Sequence, residues 1–523
     1  MTKISQRLAA LSPEQRRLLE QRMQAQGLQL PAAQAQAIFR RADPAAPTPL
    51  SFPQQRMWFL EQLMPGSPAY HVRSVARIDG PLDVQRLEQS INQVVQRHEI
   101  LRTHFIQHHG EPRQHVAPTL WVPLELVDLG GLDPTTRETA LRERARTELR
   151  RPFDLARGPL LRCCLLRLGD HQHVFIFTLH HSIADGWSVG LFNREMVACY
   201  ATPHGQLPVL PELPIQYGDF ALWQHRQLQE PALEQLLGYW RGHLAGAPLL
   251  LELRTNQPRP PQQTGRGATV FFNVPQPLTA RIKQLGQQAN ATLFMTLVAA
   301  FAVVLRHHGA PADLLIGTDV AGRTLLETEH LIGFFVNQLV LRLRLTDQDG
   351  FDVLLRQTRD VALAAYAHQE LPFEKLVEAL NPPRDSSRTP LFQVKFVLQP
   401  NPLARFQAAG LTVIPEEIDS QTAKFDLLVN MLETEQGLRG AWEYSSDLFE
   451  PATARRMVAQ FVLLLEQICA QPQTPLLTLL QHLVEDDQRQ RLVEARRFQQ
   501  TIQQRGGFRR KTTQMATSDD SDT

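Results

Sequence analysis

Two chemistries overlap in the stretch LHHSIADGWSVG, residues 179–190. His181, with Asp185 four positions on, has the residue types of an imidazole base and an acidic companion. The overlapping segment Gly186-Trp187-Ser188-Val189-Gly190 matches G-x-S-x-G, in which a serine on a tight strand-to-helix turn serves as a hydrolase nucleophile. The match is imperfect, because the apolar strand ends near His181 and a loop intervenes before Gly186. Ser188 is accounted for equally as the N-cap of a helix over SVGLFNREMVACY.

Strand geometry constrains the histidines further. Neighbouring side chains of a strand point to opposite faces, so His180 and His181 cannot both enter one cavity or grip one metal ion. One is free for chemistry and the other is structural. Asp185 can pin the loop through an arginine or a backbone amide, or it can orient the imidazole. The helix that follows places its positive end near His181, and the amides after Gly186 would stabilise a developing oxyanion there. Two further pairs, His108–His109 and His307–His308, each run into a glycine after an apolar segment and are expected to be surface turns.

The elements that hold this stretch can be read around it. LLRCCLLRL (160–168), a turn at Gly169–Asp170 and HVFIFTLHH (173–181) form a strand pair. Asp83 caps a helix whose stripe is Leu87, Ile91, Val94 and Val95. The second half repeats the α/β mixture, with a helix from about Leu278, an apolar helix over 293–305, and strands at 314–320, around 335–343 and at 391–398. The economical organisation is an N-terminal helix and linker over 1–47, a first lobe over 48–225, a helical connection and linker over 226–266 that ends in NQPRPPQQTGR, a second lobe over 267–490, and a disordered tail over 491–523. The helix expected at 11–27 carries Ser12 as cap and Pro13 at its first position.

Composition excludes several classes. Formal net charge is +1, so the chain as a whole recruits neither nucleic acid nor an anionic membrane. The run Leu293–Leu305 is too short to span a bilayer. The four cysteines have no metal-ligand spacing, and with a polar opening segment they point to a reducing cytoplasm. No metal or bound cofactor is expected.

LHHSIADGWS (179–188) resembles the HHxxxDG signature of condensation domains from nonribosomal peptide synthetases. SFPQQRMWFL (51–60), RHEILRTHF (97–105), YGDFALW (217–223), IGFFVNQLVLR (332–342), HQELPFE (368–374) and RDSSRTPLF (384–392) resemble the family's other core motifs, in the family's order. The resemblance covers about residues 48–480. It implies two chloramphenicol-acetyltransferase-like α/β lobes in a V, with a tunnel at their junction. It also implies a reaction of natural-product biosynthesis: an acceptor amine attacks an acyl thioester borne on a carrier protein's phosphopantetheine arm.

Carried over by position, His181 is the catalytic residue, Asp185 the structural aspartate and Gly186 a backbone element near the reacting centre, with His180, Trp187 and Ser188 in support. Arg102 is the expected ion-pair partner of Asp185, as an arginine in a motif with no other evident task. DGWS and the paired histidines disfavour epimerising and heterocyclising relatives, and RHEILRT is most similar to the subtype joining an L donor to an L acceptor. Ala184 and Gln338 depart from the family's usual serine and threonine. Neither paired glycine, at 130–131 or 506–507, is followed by the serine of a carrier-protein motif, so donor and acceptor carriers are expected to act in trans. An ester-forming acyltransferase on the same fold, a non-catalytic recruiting module and the Ser188 hydrolase remain as alternatives.

Overall fold

Apolar runs punctuated by turn residues build two six-stranded mixed sheets flanked by helices, an α/β architecture. The computed structural model describes residues 37–203, 206, 208–383, 385–399 and 406–489. The helix expected over 11–27, Arg384 and the tail from 491 lie outside the described residues.

The first sheet runs, in spatial order, Phe406–Ala408, Leu411–Pro415, His71–Asp79, Gln172–His180, Leu161–Gly169 and Leu124–Asp128. Its centre is the expected strand pair, antiparallel with Leu161 opposite Leu179. The second strand stops at His180 because the His181 N–H turns to the carbonyl of Tyr70 at 2.8 Å and a turn closes from His180 O to Ile183 N. The helix Val84–Arg97 is capped by Asp83, whose carboxylate accepts from Arg86 N, and it buries Leu87, Ile91, Val94 and Val95.

The second sheet runs Asn337–Arg344, Asp313–Val320, Val394–Gln399, Leu427–Thr434, Gly437–Ser445 and Gly267–Pro275. The helix Leu293–His307 packs on it, capped by Thr292. Phe301 of that helix meets Trp442 edge-on with ring centroids 5.5 Å apart. The helix's apolar length is explained by burial in this core, and no single helix among the described residues is long and apolar enough to cross a membrane. Residues 256–266 are irregular as expected, yet anchored: Arg259 pairs with Asp426, and Arg266 Nη2 lies 2.6 Å from Asp447 Oδ1.

Two features depart from the linear reading. The hairpin 406–415 leaves the second half and completes the first sheet, with Thr412 opposite Asp79. It covers the His71–Asp79 strand, which would otherwise present an unpaired edge. The His307–His308 pair is no surface turn. His308 is buried, with its Nε2 2.7 Å from Gln460 Oε1 on the helix Pro451–Ala470. The His108–His109 pair does sit exposed in a tight turn, with His109 and Gly110 both at positive φ.

Candidate active site

The strand Gln172–His180 is buried from its second residue onward and delivers His180 into the first core. There the ring meets His71 and Phe153, at centroid distances of 6.3 and 6.2 Å. Ser182 N–H donates to His180 Nδ1 at 3.2 Å. An amide can only donate, so Nδ1 holds a lone pair and the ring proton is on Nε2. Burial, then the neighbouring His71 and Lys424, push the His180 pKa down to about 3.

His181 points the other way, as alternation requires. Its ring packs 4.6 Å from that of Phe334, in the 332–342 motif. Its Nδ1 lies 2.9 Å from the carbonyl oxygen of Ala184. A carbonyl can only accept, so Nδ1 carries the proton and Nε2 the lone pair. That Nε2 has no hydrogen-bond partner among the described residues and is not sealed from solvent. Burial first, then the charges of Lys424, Arg56 and Lys395, hold the imidazole well below its ordinary pKa. The result is a neutral, half-buried imidazole, fixed at one nitrogen and open at the other.

Asp185 does not touch that ring. Its Oδ1 accepts from Ser188 N and Ser188 Oγ, both at 2.8 Å, and its Oδ2 accepts from Phe335 N at 3.1 Å. The N-cap of the helix Gly186–Ala201 is therefore Asp185, in place of the expected Ser188. The extended backbone at Asp185 lets its carboxylate reach the amide three residues ahead, which leaves Ser188 inside the first turn.

Arg102 is not the partner of Asp185 either. Its guanidinium donates to Ala117 O, with the Glu99 carboxylate nearby. The arginine that reaches Asp185 is Arg323, 3.4 Å from Oδ1, with both side chains almost wholly buried. Arg323 also donates to Leu331 O at 2.7 Å and lies 4.0 Å from the Phe335 ring centroid. It stands 138 residues away from Asp185, in a segment without a motif to mark it.

Ser188 is 1% exposed. Its hydroxyl accepts from Gly333 N and Arg323 Nη2, both at 3.0 Å, and lies 2.8 Å from Gly333 O. The one carboxylate it touches, Asp185, is already committed to other donors. The serine thus ties the two halves together and has neither a free base nor access to a substrate. Trp187 donates from Nε1 to Glu329 O at 3.1 Å, a second tie. Gly186 has only the Gln399 side chain within contact range of where a Cβ would be, at 3.8 Å.

The other motifs converge on the same junction. Ser51 Oγ lies 2.7 Å from Tyr217 OH, which donates to Phe334 O at 2.6 Å. Asn337 Oδ1 accepts from Phe373 N at 3.0 Å and its Nδ2 donates to Leu371 O at 2.6 Å. Gln54 Nε2 donates to Ser182 O at 3.0 Å. Residues 51–54, 217, 333–337 and 371–373 thereby set the position of Phe334 against His181. Sequence reasoning missed Arg323, Arg56, Lys395, Asp319 and Lys424. Two of them left a signal: Arg56 lies inside the 51–60 motif, and Lys395 is the one charged residue in the apolar run LFQVKFVL. No group of three metal-ligating side chains occurs among the described residues.

The family model described as "Condensation domain" matches residues 45–493. Phosphinothricin tripeptide synthetase PhsC of Streptomyces viridochromogenes is 42% identical over 477 residues, 90% of this chain and 43% of that protein. A linear gramicidin synthase polypeptide of Brevibacillus parabrevis is 42% identical over 462 residues, 87% of this chain and 6% of that protein. Among solved structures, the X-domain from teicoplanin biosynthesis superposes with a TM-score of 0.75 at 29% identity, covering 84% of this chain and 98% of that one. The chain thus spans less than half the length of these two relatives and nearly all of the isolated domain.

Proposed function

The chain belongs to the condensation-domain family, and on that footing we propose that it joins an acyl group, presented as a thioester on a carrier protein's phosphopantetheine arm, to an acceptor amine, with His181 at the reacting centre. The observation that carries this reading is the unoccupied, unprotonated Nε2 of His181, held at the junction of the two halves.

The chemistry follows from that nitrogen. A neutral amine attacks the thioester carbonyl, a C–N bond forms, and the amine nitrogen becomes positively charged. Nε2 accepts the proton it sheds. The C–S bond then breaks, and the proton leaves with the thiol sulfur. A depressed imidazole pKa makes a weak base toward a free ammonium, whose pKa lies near 8, but a sufficient one toward the far more acidic zwitterionic intermediate. It also keeps the ring unprotonated at neutral pH. On this reading the oxyanion falls to backbone amides at the start of the helix Gly186–Ala201, before Ser188, whose own N–H is taken by Asp185. Asp185, Ser188 and Arg323 act by fixing the loop that carries His181 against residues 333–335.

Carrier proteins supply the phosphopantetheine arms, and the four unpaired cysteines fit a reducing cytoplasm. The test is to offer the protein an acyl-loaded carrier with an amine and, separately, an alcohol acceptor, and to follow the products by mass spectrometry. Amide formation that collapses in His181→Ala is expected. Ester formation alone, or an undiminished rate in His181→Ala, would overturn the proposal.

A further inference from the structure

We propose that the wall beside His181 selects a substrate bearing a carboxylate and that Lys424 is the residue that meets it; this deepens the condensation reading and rests on it. The strand Val394–Gln399 is buried over its first four residues, and the one charge among them is Lys395, whose ammonium lies 2.6 Å from Asp319 Oδ1 on the adjacent strand. Across the junction, Arg56 donates to Gln338 Oε1 at 3.1 Å and pairs with Glu374 at 2.9 Å. Gln338 stands opposite Asp319 in the ladder. Arg56 lies 5.7 Å from the centroid of Phe334, the ring that packs on His181. Two of the three cations that bear on His181 are thus neutralised by the protein's own carboxylates.

Lys424 is the exception. Its ammonium sits 5.6 Å from the ring centroid of Tyr70, the residue whose carbonyl holds the His181 backbone N–H. It makes no ion pair among the described residues. The nearby Glu443 accepts instead from the Lys424 backbone N–H at 3.2 Å and is shared with Arg73. Burial pushes the Lys424 ammonium down to about 8, which leaves it mostly charged at neutral pH. A half-buried cation with no direct ion pair, whose neighbouring carboxylate Glu443 is shared with Arg73, costs stability, and a substrate carboxylate would supply a contact of its own. The experiment has two arms, one with the carboxylate on the donor and one with it on the acceptor.

In the donor arm, glutamyl and glutaminyl N-acetylcysteamine thioesters compete for one fixed amine. In the acceptor arm, glutamate and glutamine α-amides compete for one fixed thioester. A charge-assisted contact predicts about tenfold or greater preference for the carboxylate partner in one arm. Lys424→Gln is expected to bring that ratio near unity, and Lys424→Arg to restore most of it. Equal use of the neutral partner in both arms would overturn the proposal. So would a Lys424→Gln loss that is the same for charged and neutral substrates, since the ammonium would then serve the oxyanion. A binding arm needs no turnover: N-acetyl-glutamate should shift the His181 ring resonances at about tenfold lower concentration than N-acetyl-glutamine, and only when Lys424 is present. Preference in binding without any amide product would sink the condensation reading alone, and amide product without preference would sink the selection alone.

Discussion

Two histidine pairs end apolar elements of this chain, His180–His181 a strand and His307–His308 a helix. Burial lowers the basicity of all four rings. In the helix pair one nitrogen of each ring is held by a single residue inside the same half: Gln460 Oε1 meets His308 Nε2, and Gln460 Nε2 donates to His307 Nε2 at 3.2 Å. In the strand pair His180 is similarly absorbed by Ser182, His71 and Phe153. His181 is the one of the four that, anchored at Nδ1, lays its ring against Phe334 in the 332–342 motif of the other half. A depressed pKa therefore records a dry environment. What separates a candidate catalytic ring from a packing ring is an unused lone pair at a boundary between two halves.

The sharpest way to break that contrast is substitution. His181→Ala should reduce kcat/KM by roughly 10²- to 10⁴-fold while leaving the unfolding midpoint nearly unchanged. His308→Ala should leave turnover intact and cost about 1–3 kcal/mol in urea unfolding, because Gln460 is left buried without its partner. Equal kinetic losses in the two variants would erase the distinction. Next in size is the buried pair behind the loop. Asp185→Ala should cost about 3–5 kcal/mol, since Arg323 keeps its charge without a counter-ion. The double variant Asp185→Ala with Arg323→Met should recover part of that loss, read from a double-mutant cycle in urea.

pH sharpens the comparison further. His180 and His308, with pKa values of about 3 and 4, stay neutral in the fold where an unfolded imidazole titrates near 6.5. The unfolded chain binds protons first as pH falls, so stability present above 6.5 is lost below it, by about 2 kcal/mol per ring at pH 5 relative to pH 8. The acid limb of kcat/KM, set by His181, should in turn lie well below 6.5. Unfolding curves and rate profiles across that range would check both. The smallest effect is expected at Ser188→Ala, about 1 kcal/mol of stability and less than a tenfold change in rate, measured on the same substrates.

Much of this was legible before any coordinates. Alternation along HVFIFTLHH separates the two histidines, and Asp83 announces its helix, because both signals are local. What failed was whatever the fold brings together from afar. Asp185 calls for an arginine, but Arg102 and Arg323 are indistinguishable as sequence, and only the loop over 321–336 decides between them. Ser188 and Asp185 are both good capping residues, and the extended backbone at 185 awards the position to the aspartate. The mixed two-lobe pattern was visible, while the hairpin 406–415 was not, because nothing in its sequence says which of two sheets its edge will join.

That hairpin has a consequence for anyone who would cut the chain. The linker over 256–266 invites division into two separately expressed pieces, yet a piece ending there would lack two of the six strands of its own sheet. It would carry the bare flank of His71–Asp79 into solution, a template for sticking to its neighbours. Grafts and chimaeras should therefore move residues 406–415 together with the first half, or keep both halves in one polypeptide.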